Sequence, residues 1–267
     1  MTASAGDGAY ADATSGMPTG METLDQVAAL VRGCQGCSLA GGRTNAVPGE
    51  GNPKADVMFI GEGPGAQEDR QGRPFVGPAG KLLDGLLASM GANRQDVFIA
   101  NMVKCRPPGN RDPAPAELAA CTKYLDRQVE LVNPKLIVTL GRFAFNRYFP
   151  GEGITKARGK LREIGDRKIF PVLHPAAVLR RDELRPTMVK DFEAIAEILA
   201  EGPKDTEKGP GGVQTNRVIP ATPQATQLSL MDAPDPAAFL APVEALAPEI
   251  PADAKEGPLS PEQLTLF

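Results

Sequence analysis

Short apolar runs alternate with longer amphipathic stretches along the middle of the chain. Runs bounded by glycine or polar residues, as buried strands usually are, lie at 55–60, 97–100, 135–140 and 168–173. Leucines and charged residues at helical spacing lie at 22–32, 78–90, 114–132, 142–149 and 186–200. This alternation predicts a parallel sheet with helices on both faces. Pro171 predicts an edge position for the last strand, because proline donates no ladder hydrogen bond.

Both ends of the chain differ in composition from this middle part. Residues 1–20 are mostly Gly, Ala, Ser and Thr, and residues 202–267 contain 11 Pro and 10 Ala with few large apolar side chains. Such segments bury too little apolar area to offset the entropy that ordering costs, so we expect both to be disordered. One folded domain is therefore predicted over residues 21–201.

Charge and hydropathy narrow the class of protein. The net charge is −4 overall, but +3 over residues 21–201, −2 over 1–20 and −5 over 202–267. A mildly basic body between acidic ends is compatible with nucleic-acid binding, although an ordinary mixed surface has the same charge. No apolar run approaches ~18 residues and no secretory signal is recognisable, so we expect no membrane span. The expected location is cytoplasmic, at the nucleoid.

Polar and glycine-rich segments follow the predicted strands directly. The first strand leads into 61–65 (GEGPG), the second into Asn101, the third into Gly141 and the fourth into His174. Ligands of open parallel sheets bind beyond the carboxyl ends of the strands, which share one edge. The sequence therefore predicts that these residues converge on a single site.

Two nucleotide-binding motifs are disfavoured in this region. Residues 61–66 match G-x-G-x-x-A, but Pro64 and a second Gly/Pro cluster separate them from the next predicted helix. No acidic residue ends a second strand at the distance that a dinucleotide site requires. Gly80-Lys81 precedes Leu82, and Phe75 stands where a Walker A loop has its first glycine.

The cysteines and the single histidine limit the metal chemistry. One histidine, His174, excludes any multi-histidine metal site. A C-x2-C pair, Cys34 and Cys37, is followed by Cys105 and Cys121 with no cysteine left over. Structural disulfides are not expected without a secretory signal, so the pattern favours a four-cysteine site for zinc or an iron–sulfur cluster. Separate buried cysteines remain the alternative.

Four blocks of sequence resemble the iron–sulfur uracil-DNA glycosylases of family 4, found in bacteria and archaea. In chain order they are GEGPGAQEDRQGRPFVGPAGKLL, NMVKCRPPGNRDP, PKLIVTLG and HPAAVLR, and the resemblance covers about residues 22–200. It implies a three-layer α/β/α sandwich with a central four-stranded parallel sheet. It also implies excision of uracil from DNA, which leaves an abasic site and starts base excision repair. The four cysteines match the ligands of that family's 4Fe–4S cluster, for which we expect a structural role.

The resemblance assigns roles to three residues near the predicted strand ends. Phe75 is expected to stack on a flipped uracil. Asn101 is expected to pair with O4 and N3–H of uracil, a donor–acceptor pattern that cytosine reverses. His174 is expected to donate a hydrogen bond to uracil O2, where negative charge grows as the glycosidic bond breaks. The simpler alternatives are a core phenylalanine, a turn asparagine and a satisfied core histidine.

The water that completes hydrolysis needs a group that orients it. Family 1 uracil-DNA glycosylases carry Gly-Gln-Asp-Pro where this chain has residues 61–64, so Gly63 occupies the aspartate position. We expect Glu68 to hold the water instead, the alternative being a solvated loop residue. Glu62 and Gly63 are expected to bind uracil, Glu62 mainly through its backbone.

Two other functions fit parts of the sequence. One is an X-type relative that traps DNA covalently through an additional histidine on an inserted basic loop. Residues 105–111 (CRPPGNR) have no such insertion and His174 is the only histidine, so this function is disfavoured. The other is a non-catalytic DNA-binding module, which the presence of Phe75, Asn101 and His174 disfavours. An assay on a uracil-containing oligonucleotide separates an active glycosylase from such a module.

Further contacts with DNA and with a protein are predicted. Leu179 is a candidate for an apolar wedge between bases and Arg180 for a phosphate contact, unless their segment is an ordinary transition from loop to helix. The chain ends in Gln263-Leu264-Thr265-Leu266-Phe267, which resembles the peptide by which bacterial repair proteins bind the β sliding clamp. Residues 227–231 (QLSLM) form a looser copy. We expect a monomer acting on uracil-containing DNA.

Overall fold

A computed structural model describes residues 20–200, so the segments 1–19 and 201–267 lie outside the described residues. The helices are α1 (Leu24–Gly33), α2 (Ala66–Gln71), α3 (Pro78–Ser89), α4 (Pro115–Val132), α5 (Arg142–Tyr148), α6 (Ile154–Ala157), α7 (Pro175–Arg180) and α8 (Arg185–Ala200). The strands are β1 (Glu50–Gly51), β2 (Val57–Gly61), β3 (Phe98–Asn101), β4 (Leu136–Leu140), β5 (Arg162–Ile164) and β6 (Arg167–Val172).

The strands form one sheet in the order β1-β3-β2-β4-β6-β5. The four central strands are parallel, and β1 and β5 pair antiparallel at the two edges. The predicted four-stranded parallel sheet is therefore confirmed as the centre of a six-stranded one. Strands of two and three residues, such as β1 and β5, are too short for a hydrophobic period to reveal.

Side chains of the central strands alternate between two apolar layers. Val57 and Phe59 of β2 pack with α3, α7 and α8 on one face. Met58 and Ile60 pack with α4 and α5 on the other. Every residue of β2 and β4 is buried, as expected for parallel strands covered on both faces. The predicted three-layer α/β/α arrangement is thus confirmed.

Local sequence signals set the ends of the long helices. The Thr23 side chain accepts a hydrogen bond from the Gln26 N–H at 3.3 Å, and the Gln26 side chain accepts from the Thr23 N–H at 2.9 Å, a capping box that starts α1. Pro115 opens α4, where its missing N–H is not needed. Asn133 ends α4 in the left-handed conformation, with φ of 46°.

The predicted edge position of the last strand is wrong, because β6 lies between β4 and β5. Its proline is nevertheless tolerated for the expected reason. Pairing with β5 stops at Ile169, and the Pro171 carbonyl accepts from the Gly159 N–H at 2.8 Å on that side. The prolyl nitrogen, which points to the same side as its carbonyl, therefore faces a position where no ladder bond is required.

The sequence predicted no helix between the first strand and residue 78, but this stretch contains the short helix α2. No helix within residues 20–200 is long and apolar enough to cross a membrane. The parallel strands all end at the same edge of the sheet, and β2, β3 and β6 deliver Glu62, Asn101 and His174 to it.

Candidate active site

A cavity of about 320 Å³ opens beyond the carboxyl ends of the parallel strands. It brings together side chains from three strand ends, from the segment around α2 and from α7. The predicted site residues among its lining are Glu62, Gly63, Glu68, Phe75, Asn101, His174 and Arg180.

Phe75 is buried and has a positive φ of 51°. An aromatic residue in this region stores about 1–3 kcal/mol of backbone strain, which the surrounding structure must offset. Its ring stacks on the imidazole of His174, with centroids 5.7 Å apart and planes inclined by 28°. The strained backbone thus holds an aromatic face in the wall of the cavity.

Asn101 ends β3 and is 1% exposed, yet its side-chain Oδ1 has no hydrogen-bond partner among the described residues. A buried acceptor left unpaired costs about 1–3 kcal/mol, so this atom requires an N–H or O–H donor from a ligand or a water. The Asn101 carbonyl accepts from Lys104 Nζ at 2.9 Å, which fixes the backbone. A Cβ at Gly61 would lie 2.5 Å from Oδ1, so only glycine permits this approach.

The imidazole of His174 has a defined tautomer. Its Nδ1 accepts a hydrogen bond from the backbone N–H of Ala176 at 3.2 Å, at the start of α7. The neutral ring therefore carries its proton on Nε2. Burial, together with the positive charge of Arg180, lowers the pKa of His174 to about 4. At neutral pH the cavity wall thus contains an uncharged N–H donor.

Glu68 is a buried carboxylate that holds the backbone around it. Its Oε1 accepts from the N–H groups of Val76 and Gly77 at 2.9 and 2.8 Å, and its Oε2 accepts from the Gly65 N–H at 3.1 Å. These three bonds use both lone pairs of Oε1 and one of Oε2. One lone pair of Oε2 is left for a further donor, so the predicted water-holding role of Glu68 stays a prediction.

Glu62 and Gly63 follow β2 at the floor of the cavity. The Glu62 carbonyl accepts from the Val103 N–H at 3.1 Å. Burial, and then the charge of Asp112, raises the pKa of the Glu62 carboxyl. A Cβ at Gly63 would lie 2.7 Å from Cγ2 of Val103, so an aspartate at this position would displace that side chain.

Arg111 also lines the cavity and was missed in the sequence, although it lies in the block CRPPGNRDP. It donates two hydrogen bonds to Glu117, at 2.9 and 2.7 Å. Glu117 also accepts from the Ser38 hydroxyl at 2.8 Å, and Ser38 directly follows Cys37. The Arg111 guanidinium lowers the pKa of Glu117 to about 2. The cavity wall is thus joined to the cysteine-bearing segment by a carboxylate.

Leu179 and Arg180 end α7 at the rim of the cavity. Leu179 is 40% exposed, which is unusual among the large apolar side chains of residues 20–200. Arg180 lines the cavity itself. These positions are compatible with the predicted DNA contacts and do not test them. The C-terminal peptide, 263–267, lies outside the described residues.

The four cysteines line a second, small cavity between α1, α4 and the segment after β3. Backbone N–H groups of Gly36 and Lys104 donate to Cys34 and Cys121, both at 3.3 Å. Arg43 Nη1 donates to Cys105 at 3.1 Å. Within residues 20–200, no three His, Cys, Asp or Glu side chains are grouped as they would be around a single metal ion.

Comparison with known proteins agrees with this architecture. The model of the uracil DNA glycosylase superfamily matches residues 48–200. A type-4 uracil-DNA glycosylase of Sulfurisphaera tokodaii is 49% identical over 188 residues, 67% of this chain and 86% of that protein. One of Thermotoga maritima is 46% identical over 182 residues, 66% of this chain and 95% of that protein.

A type-5 uracil-DNA glycosylase of Thermus thermophilus matches less of the chain. It is 33% identical over 126 residues, 42% of this chain and 57% of that protein. The type-4 relatives therefore share both the higher identity and nearly the whole described domain. The resemblance seen in the four sequence blocks is confirmed: the chain belongs to the uracil-DNA glycosylase superfamily, in its type-4 family.

Proposed function

We propose that this protein binds a flipped-out uracil in the cavity beyond the strand ends and hydrolyses its N-glycosidic bond. The observation that carries the proposal is the unpartnered Oδ1 of Asn101, buried in a cavity that Phe75 and His174 also line. A base inside a duplex is out of reach of such a cavity, so it must leave the stack first. Family membership supports the same reaction.

Asn101 selects the base. Its Oδ1 accepts from N3–H of uracil, and its amide nitrogen donates to O4. Cytosine has an acceptor at N3 and a donor at C4, so it would leave both partners mismatched in a buried site. The face of Phe75 supplies the stacking surface.

His174 stabilises the leaving group. As the bond between C1′ and N1 breaks, both electrons leave with uracil and negative charge collects on its O2. A neutral imidazole that donates from Nε2 stabilises this charge as it develops. Because the imidazole is uncharged, it forms no ion pair in the ground state, so its hydrogen bond is strongest in the transition state. Water then adds to C1′, and the proton that it loses balances the one that the uracil anion takes up, so the products are free uracil and an abasic site.

The water is oriented by Glu68, through the lone pair of Oε2 that backbone donors do not use. Glu62 and Gly63 support the base through the backbone at the floor of the cavity. Gly63 carries no side-chain base, so the reaction relies on a dissociating leaving group more than on a strong nucleophile.

The test is excision from a synthetic oligonucleotide with one uracil, detected by mass spectrometry of released uracil and of the abasic strand. We expect excision from the uracil strand and none from matched strands with cytosine or thymine. Asn101→Ala and Phe75→Ala should weaken recognition of uracil. Tight binding of the strand with no release of uracil would overturn the proposal in favour of a non-catalytic binding module.

The four cysteines are proposed to hold a 4Fe–4S cluster. Four cysteine sulfurs line one cavity, and N–H donors are aimed at three of them, which suits an anionic group that four thiolates would hold. Four cysteines suit zinc as well as a cluster, and the match of these cysteines to the cluster ligands of family 4 favours the cluster. When bound, the cluster ties α1 to α4 and to the segment after β3.

Metal analysis and the visible spectrum of protein purified without oxygen test the cluster. We expect a brown protein, a broad band in the blue, and about four iron atoms per chain. Stoichiometric zinc with no iron would contradict it.

The C-terminal peptide is proposed to bind the β sliding clamp. Gln263, Leu264, Leu266 and Phe267 supply a short apolar anchor after a segment rich in proline, which would hold the glycosylase domain near newly copied DNA. A labelled peptide of residues 259–267 should bind the clamp of the same organism at tens of micromolar or tighter. No binding, or unchanged binding of the peptide with Leu266→Ala and Phe267→Ala, would remove the proposal.

A further inference from the structure

Arg94 donates hydrogen bonds to the backbone of Phe75 and of the residue before it. It lies between α3 and β3, outside the cavity lining. Its Nη1 donates to the Phe75 carbonyl at 2.8 Å, and its Nη2 donates to the Pro74 carbonyl. One planar guanidinium therefore holds two successive carbonyls at a residue whose φ is 51°.

The Glu68 carboxylate holds the residues that follow Phe75 in the chain. Glu68 accepts from Val76 and Gly77, the two residues that follow Phe75. The first turn of α3 also closes on it, since a Cβ at Gly80 would lie 1.8 Å from the Phe75 carbonyl oxygen. Three contacts thus support the left-handed conformation of Phe75: the Arg94 guanidinium at two carbonyls, the Glu68 carboxylate at the two N–H groups that follow, and the close approach of Gly80.

We propose that Arg94 is a positioning residue for uracil recognition, which acts by holding Phe75 in its strained conformation. The inference rests on the proposed stacking role of Phe75. Without the two carbonyl contacts, the backbone at Phe75 relaxes toward negative φ and the aromatic face leaves the cavity wall. Arg94 touches neither the cavity nor the reacting atoms, and its separation of 19 residues from Phe75 hides the link in the sequence.

The alternative explanation is that Arg94 serves only a surface charge network. It pairs with Glu50 at 2.9 Å and with Asp84 at 2.8 Å, and Arg73 pairs with the same Glu50 at 2.8 Å. Arg73 donates to no backbone group of the Phe75 segment in the part of the chain that the structure describes. Arg73→Met is therefore a matched control, because it removes an ion pair of Glu50 and leaves the hydrogen bonds from Arg94 to the two carbonyls in place.

The experiment is a double-mutant cycle between Arg94 and Phe75 on the full chain, with kcat/KM on a single-stranded uracil oligonucleotide as the readout. Phe75→Ala should lower kcat/KM roughly 10- to 100-fold, as loss of one base–aromatic stack does. Arg94→Met should lower it about tenfold in the parent, equivalent to ~1.4 kcal/mol. In the Phe75→Ala background, Arg94→Met should change it by less than about twofold, since its effect passes through the missing ring.

Two further variants distinguish the hydrogen bonds to the two carbonyls from the ion pairs with Glu50 and Asp84. Arg94→Lys keeps a cation beside Glu50 and Asp84 but has no planar group that can reach both carbonyls. Its kcat/KM should therefore fall almost as far as that of Arg94→Met. Arg73→Met should stay within about twofold of the parent. Melting temperatures establish that each variant is folded. If Arg94→Met does not fold, the double-mutant cycle with Phe75→Ala is measured with Arg94→Lys instead.

Additive losses, a parental kcat/KM in Arg94→Lys, or an equal loss in Arg73→Met would each overturn the inference. A parental kcat/KM in Phe75→Ala would instead contradict the stacking role in the proposed function. Loss in Phe75→Ala combined with parental Arg94 variants would contradict the positioning role alone.

Discussion

The two cavities of this domain differ in volume and in whether the hydrogen-bond acceptors in their walls have partners. The cavity beyond the strand ends measures about 320 Å³ and contains an acceptor on Asn101 with no partner among the described residues. The cavity between the cysteines measures about 10 Å³, and three of its four sulfurs already accept N–H hydrogen bonds. The first has room for a ligand that enters and leaves, whereas the second has about the space of one water molecule and is bounded by sulfurs that already have hydrogen-bond partners.

Two buried charged residues connect these regions. Glu117 accepts hydrogen bonds from Arg111 in the cavity wall and from Ser38 beside Cys37. Lys104 donates to the Asn101 carbonyl through its side chain and to Cys121 through its backbone. The comparison teaches that hydrogen bonds of two buried residues connect the cysteine region with the wall of the larger cavity.

The largest effect should come from breaking the cysteine region itself. Cys121→Ser should lose iron and lower the melting temperature by more than about 10 °C, because metal-binding free energy of such a site is folding free energy. Thr122→Ser, the next residue of α4, should keep both. Full iron content with an unchanged melting temperature in Cys121→Ser would contradict the structural role.

In the base-binding cavity, His174→Ala should lower kcat about 10²–10³-fold, as loss of a donor to a developing anion does. Binding of uracil-containing DNA and the iron content should stay near those of the parent, which separates this region from the cysteines. His174→Gln, which retains an N–H donor, should keep more activity than His174→Ala. A parental kcat in His174→Ala would show that the assigned role is wrong.

Acid should weaken the fold through His174. Its pKa is about 4 in the folded chain and about 6.5 when unfolded, so between these values only the unfolded chain binds the proton. The free energy of unfolding therefore falls as the pH drops from 6.5 to 4, by up to about 3 kcal/mol from this group. Melting curves of His174→Gln should show a flatter pH dependence over this window. Equal slopes for the two proteins would contradict it.

Glu117→Gln should weaken the link between the two regions. The buried carboxylate loses its charge, so stability should fall by about 2 kcal/mol and kcat/KM by several-fold as Arg111 loses its anchor. Glu130→Gln on the same helix breaks the partly exposed pair with Arg127 and should cost less than about 1 kcal/mol. A stability loss with parental kcat/KM would show that the link does not reach the cavity.

The smallest effect is expected at the rim. Leu179→Ala should lower kcat/KM about fivefold on duplex DNA and leave single-stranded DNA unchanged, because a wedge is needed only where a stack must be opened. Leu161, 39% exposed, provides the control Leu161→Ala. Equal relative activity on both substrates would count against a wedge.

The amino-acid sequence predicted the central strands to within about two residues, because parallel strands buried on both faces appear as continuous apolar runs. The short helices α2 and α7, of six residues each, span fewer than two turns and carry no readable period. The site residues could be grouped from topology alone, since strands that run parallel end at one edge. Glu68 was predicted as a site residue, but its three backbone hydrogen bonds were not.

What the sequence determined by itself is therefore the order of elements, the edge where chemistry gathers and the identity of the chemical groups there. Only the tertiary structure decided which charged residues hold those groups. Arg94 reaches Phe75 over 19 residues and Ser38 reaches Glu117 over 79. The physical reason is that apolar periodicity reports burial along one element, whereas a hydrogen bond depends on where two elements meet after packing. Backbone strain at Phe75 likewise has no sequence signature, because the contacts that offset it come from elsewhere in the fold.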